Sequence, residues 1–393
     1  MIPGPGRRGV RPAAGARMNV ADAAAVPVPS SLVIRWRNRV GRLLRFCWRW
    51  FLGAFLCATP PGSVVALGWA LRRSHAATHG IWGTGVTPTA PTRWVFADHV
   101  RPALGRARNT PGGIRRRARA AGAALFGSLG RNFALGFSSI LVVWTVTLPG
   151  CVLWLFAWYD GWNNSFTKGY ENAEVGPLTA LGGTALFIMA MMYVPMAQAR
   201  HAATGDWRAF YRFRVVWRLM RASRLRYLLL AAFYAASALP VMVMKTAPFI
   251  FTQIDNARED LGAAEARELL DGYFFKTCLA VFPIFVALRV VGGRVYAKAA
   301  DRAVRSGALA PEELHPTERD ALGSLAPDER TRARRGDMFV TVVWVGALVA
   351  VWFVFVAQIF ISEFLNYHPG VGWLNQPTAQ LPWFRYIPSH LQQ

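Results

Sequence analysis

Seven histidines, four cysteines and a few charged side chains inside apolar runs are the residues here whose types could carry chemistry. The histidines are His75, His79, His99, His201, His315, His368 and His390. None falls inside an apolar run long enough to cross a bilayer, so a haem or chlorin has no axial imidazole at membrane depth. His75 and His79 stand four apart, as on a metal-binding helix face. No HExxH glutamate accompanies them and Gly80 follows at once, so the expectation is no metal site and no cofactor. Cys47, Cys57, Cys151 and Cys278 all lie in or beside apolar stretches and form no CxxC pair, which reads as buried free thiols.

Charges at membrane depth cost several kcal/mol and commonly mark function. Lys245 lies about seven residues inside the outer end of one apolar run, and Lys276 just inside the outer end of the next. Gln358 and Glu363 sit near the outer end of the last, and Arg289 near an inner end. Two readings stand for the outer-leaflet polar cluster Lys245, Lys276, Gln358 and Glu363. It lines an outward-facing cavity in which Lys245 pairs with Glu363 or binds an anionic group, or its long side chains snorkel to the headgroups. No Walker, GxGxxG, GxSxG or CxxCH motif is present. An enzyme is therefore not expected.

The elements that must hold these residues are membrane helices. The chain has 393 residues, 53% hydrophobic and only 17% charged, yet its formal net charge is +24. A soluble chain carries about 25% charged residues. High apolarity with a large positive excess fits spans joined by basic loops. Nucleic-acid binding is not expected, because the basic runs sit directly against apolar segments. Only four of the 45 basic residues are lysine, a skew that points to a GC-rich bacterial genome.

Residues 1–29 have the Pro/Gly/Ala/Arg composition of a disordered segment. Residues 30–49 form a basic amphipathic helix expected to lie in the headgroup region through Arg35, Trp36, Arg39 and Arg42. Residues 50–71 are apolar but centred on Pro60-Pro61-Gly62, which breaks the hydrogen-bond ladder. Arginines crowd both flanks, so the reading is a re-entrant or interfacial hairpin hinged at Pro60 and Pro61, with a kinked full span as the alternative. Residues 72–132 read as a basic cytoplasmic linker. A five-span domain occupies 133–361: Phe133–Tyr159, Val175–Ala199, Tyr227–Thr252 with a hinge at Pro240, Tyr273–Val291 and Met338–Ile361. Each is close to the roughly 20 residues a span needs. Residues 292–337 form a cytoplasmic insert, and the aromatic, Pro-rich 362–393 an outward-facing tail on the outer surface.

The loops alternate in charge. Loop 160–174 has three acids against Lys168, loop 200–226 eight arginines against Asp206, and loop 253–272 six acids against two arginines. Loop 292–337 is basic beside both membrane ends. The N-terminus is thereby expected inside and the C-terminus outside a bacterial inner membrane. Within loop 200–226, Trp207, Arg208 and Arg212 belong to a second interfacial helix on anionic lipid. The fold class expected is an all-α polytopic bundle. The function expected is an accessory or scaffolding subunit of a larger membrane complex, in contact with other membrane subunits and with anionic headgroups. The alternative is a transporter or channel subunit for a small solute, an anionic one included.

Overall fold

The computed structural model describes residues 31–84, 113–159, 175–254, 262–323, 325, 338–365 and 370–384. The described residues are mostly helical, with no strand among them. Among these residues, five helices are long and apolar enough to cross a membrane. The chain is a multi-pass, all-α helical membrane protein. It divides into two compact units, Met1–Phe46 and Cys47–Gln393. In the first, the described part is the start of helix α1 (Ser31–Cys57), where Arg39, Val40, Leu43, Leu44 and Phe46 are exposed. The side chains of Arg35, Trp36 and Arg42 lie outside the described ones.

In the second unit α1 ends at Cys57 and α2 (Pro60–Trp82) begins after a two-residue turn. The turn follows from the sequence. Pro60 and Pro61 lack the N–H that would continue α1, but the first turn of a helix needs no such donor. Thr59 caps α2, its Oγ1 accepting from the Gly62 N–H at 3.3 Å. The prolines thus start a helix. The amphipathic stretch and the first half of the expected hairpin are one helix, and the second half runs on to Trp82, past the expected boundary at Leu71. Cys57, Cys151 and Cys278 are buried free thiols, whereas Cys47, on the arginine-rich part of α1, is exposed and not buried as expected. Cys57 and Ala54 share an apolar cluster with Cys278 and Phe282. The turn therefore lies alongside the apolar stretch 273–291 and not beyond its end.

Helix α3 (Ile114–Phe156) and α4 (Val175–Thr204) carry the first two spans. Helix α3 starts nineteen residues before Phe133, so the end of the expected linker is helical and continuous with the span. Helix α2 runs antiparallel to α3 at backbone contact. A Cβ on Gly68 would collide with the Asn132 carbonyl, and one on Gly136 with the Val64 carbonyl. Small residues let membrane helices touch this closely.

The segment after α4 was expected as one helix but breaks into α5 (Trp207–Phe210) and α6 (Phe213–Ala222). Asp206 caps α5, and its Oδ1 accepts from the Arg208 N–H at 2.9 Å. Phe210 is fully buried, so the aromatic–arginine alternation there serves the core as well as the surface. Helix α7 (Arg224–Ile254) runs through both Pro240 and Pro248 without interruption. Helix α8 (Ala263–Arg305) extends well past Val291 into the expected insert. A 3₁₀ turn (Pro311–Glu313) and α9 (Pro316–Leu322) follow. Helix α10 (Met338–Phe364) is the last span, and α11 (Gly370–Leu374) begins the terminal segment.

That terminal segment corrects the sequence reading. Over residues 370–384 it does not lie on the surface: Trp373, Asn375, Gln376, Thr378, Ala379, Gln380 and Phe384 are all buried. Trp373 packs against Trp154 of α3 and Phe360 of α10. Irregular backbone at membrane depth is tolerated where protein supplies its hydrogen-bond partners, and this bundle supplies them.

Candidate functional site

Two faces of the last span meet two of its neighbours at the site. On α7, Lys245 points into the bundle, and on α10 so does Glu363, five residues beyond Gln358. Lys245 and Glu363 form an ion pair whose side chains are 2% and 0% exposed. Lys245 therefore does not snorkel. Lys276 is exposed on α8 and takes no part in the pair. Of the expected cluster, Lys245, Gln358 and Glu363 come together and Lys276 does not.

The terminal segment completes the site, which the sequence reading missed. Ala238, Val241, Met242 and Lys245 of α7, Gln358, Ile359 and Ser362 of α10, and Gln376, Pro377 and Thr378 line one cavity. It holds about 230 Å³ of space between atoms, but room for a water centre of only about 10 Å³. That is enough for about one water. The Gln376 amide is oriented by its Nε2, which donates to the Gly372 carbonyl at 2.6 Å. Its Oε1, like that of Gln358, is buried without a hydrogen-bond partner among the described residues. The cavity thus offers acceptor oxygens and an ammonium already neutralised by Glu363. That chemistry suits water and disfavours an anion.

Deeper in, Arg289 of α8 holds the same segment. Its Nη1 donates to the Tyr234 hydroxyl at 2.8 Å and the Thr378 carbonyl at 3.1 Å, and its Nη2 to the Ala379 carbonyl at 2.9 Å. The guanidinium carbon lies 4.3 Å from the Phe285 ring centre. Gln380 donates from Nε2 to Thr147 Oγ1 of α3 at 2.7 Å. The sequence signal for this was present: Asn375, Gln376, Thr378 and Gln380 are four amide or hydroxyl side chains among aromatics. Surface anchoring and insertion share that composition.

A second polar network closes the arginine-rich end. Arg200, fully buried at the end of α4, grips Glu318 of α9 with two hydrogen bonds of 2.7 and 2.9 Å and donates to the Ala209 carbonyl at 3.2 Å. The Tyr296 hydroxyl and the His315 backbone N–H bond the same carboxylate. Burial pushes the Glu318 pKa up, but Arg200, Tyr296 and the His315 N–H outweigh it and hold it below the usual range. Beside it, Arg218 pairs with the Glu313 carboxylate at 2.6 Å.

His75 and His79 face the end of α4. His75 Nδ1 lies 3.1 Å from the Ala202 carbonyl and His79 Nε2 3.2 Å from that of Ala203, so both rings serve carbonyls that a helix end leaves over. Burial, then the neighbouring His79, push His75 down to about 4, and its ring stays neutral. Of the expected interfacial set, Trp207, Arg208 and Arg212 are exposed, as is Arg39. Arg208 lies over the Trp207 ring at 5.5 Å, and Arg212 reaches back to the Glu313 carbonyl at 3.3 Å.

The chain matches no protein-family model, no curated protein and no solved structure.

Proposed function

We propose that this protein is a non-catalytic component of a bacterial inner membrane, an accessory or scaffolding subunit that joins a larger assembly through its last span. The observation that carries this reading is the state of α10. Only 28% of its apolar window is buried, against 44–50% in the other four spans. Its glycine is also open, unlike three glycines within the spans of α3 and α4. Gly136, Gly150 and Gly183 each face a neighbouring backbone, whereas an added Cβ on Gly346 meets nothing within 4 Å. Gly346 and Ala350 are exposed one turn apart, the spacing at which membrane helices approach closely. The charges at depth support the same reading, since Lys245 and Arg289 are engaged within the protomer.

The charge of the loops orients the chain. Loop 200–226 and the ends of 292–337 are rich in arginine, so the network at Arg200 and Glu318 is cytoplasmic and the C-terminus is periplasmic. The arginines on both flanks of residues 50–71 support a hairpin that enters the membrane and returns, its turn beside Cys278. The transporter reading has one observation in its favour, the cavity at Lys245, but room for about one water leaves no path for a solute.

Purification from the native membrane in mild detergent, followed by mass spectrometry, tests the proposal. The expected result is a defined set of co-purifying membrane proteins that Gly346→Leu removes without changing the protomer's melting temperature. A lone, monodisperse protomer contradicts it.

A further inference from the structure

Helix α2 passes α8 closely. Thr78 Oγ1 donates to the Gly293 carbonyl at 3.0 Å, and a Cβ on Gly293 would lie 2.5 Å from Ser74 Oγ. This packing brings together the next residues in sequence, Arg73 on α2 and Arg294 on α8. On the other flank of α2, Arg72 Nη1 donates to Asn132 Oδ1 of α3 at 3.1 Å, which puts Arg131 beside it. Arg131 stands two residues before the apolar stretch of α3, and Arg294 three residues after that of α8. The four arginines therefore stand at one boundary of the bilayer, as two pairs on the two flanks of α2.

Backbone packing holds like charges together here, which costs energy unless an anion joins them. Elsewhere the chain provides one: Arg200 has Glu318, Arg218 has Glu313 and Arg305 has Asp301. Among the described residues no carboxylate pairs with Arg73, Arg131 or Arg294.

We propose that Arg73 and Arg294 form a seat for the phosphate of an anionic phospholipid, with Arg72 and Arg131 adding to its positive field. Guanidinium forks match phosphate oxygens in a bidentate fashion. The depth is that of a headgroup, where anionic lipid is the abundant partner of such arginines. The electrostatics agree. Burial, then the charge of Arg294, hold Arg73 below its ordinary pKa, and burial, then Arg131, bring Arg72 to about 10. The inference rests on the membrane reading of the chain and is independent of the subunit reading.

The full chain in mild detergent, titrated with phosphatidylglycerol or phosphatidylcholine of the same acyl chains, tests the seat by native mass spectrometry. Retention of phosphatidylglycerol is expected to exceed that of phosphatidylcholine by about tenfold. Arg73→Gln with Arg294→Gln should remove that preference. Arg294→Gln alone, at an exposed side chain with no partner to lose, should reduce it several-fold in a folded protein. Equal retention of both lipids overturns the proposal. So does an equal loss from Arg214→Gln with Arg221→Gln, which would mark a diffuse basic surface. Displacement of phosphatidylglycerol by millimolar inorganic phosphate also overturns it, in favour of a free-anion site. A chain that stays soluble without detergent would instead sink the membrane reading beneath it.

Discussion

Lys245 and Glu363 put two full charges inside an apolar bundle, and each is tolerable only because of the other. Losing one partner of such a pair costs about 3–5 kcal/mol, whereas replacing both by apolar side chains is near neutral. Lys245→Leu and Glu363→Leu should therefore each lower the melting temperature markedly, and the double variant should recover most of the loss. Additive losses in a detergent melting series would remove the ion pair from the account. Glu318 makes a prediction of the opposite kind, because its network lies beyond the ends of the apolar stretches. Its folded pKa lies below an unfolded value of about 4.3, so its stabilisation is complete above that pH. The contribution is lost as pH falls further, through the folded pKa. Hydrogen exchange in α9 should accelerate on acidification below about pH 4.3, and Glu318→Gln should abolish that acid-dependent part. The charged members of the site were legible because a lysine in an apolar run stands out. Gln376 and the partners of Arg289 were not, because the return of residues 370–384 into the bundle is a long-range event with no local pattern.

The spans were legible as elements, since five apolar runs of sufficient length became five helices. Their ends were not. Helices α3 and α8 run far past the apolar stretches, because arginine and alanine continue a helix in water as readily as leucine does in lipid. The prolines divided along a physical line. Pro60 and Pro61 follow a turn and start α2, where no donor is missed, while Pro240 sits inside a continuous helix whose neighbours can satisfy the freed carbonyl. The hairpin reading makes a directional claim. Single cysteines at Ser30 and Thr84, in a cysteine-free background, should both be shielded from an impermeant thiol reagent applied outside. Labelling at Ser30 with protection at Thr84 would make residues 50–71 a sixth crossing.

At the scale of the whole molecule, the +24 charge and the apolar runs together indicated a membrane protein with an arginine-rich side. What composition could not convey is how that basic end is built. Arg200, Arg218 and Arg305 pair with acids of the same chain, while Arg73 and Arg294 have no such partner among the described residues. Nor could it convey that the polar groups at depth close on one another and leave the α10 face open. A functional partner for that face is the central claim, and cross-linking in the native membrane tests it most directly. A photoreactive residue at Val349, beside Gly346 and Ala350, should give a discrete protein adduct, and one at Leu229 on α7 should give lipid adducts alone. Lipid adducts alone from both positions would contradict the account.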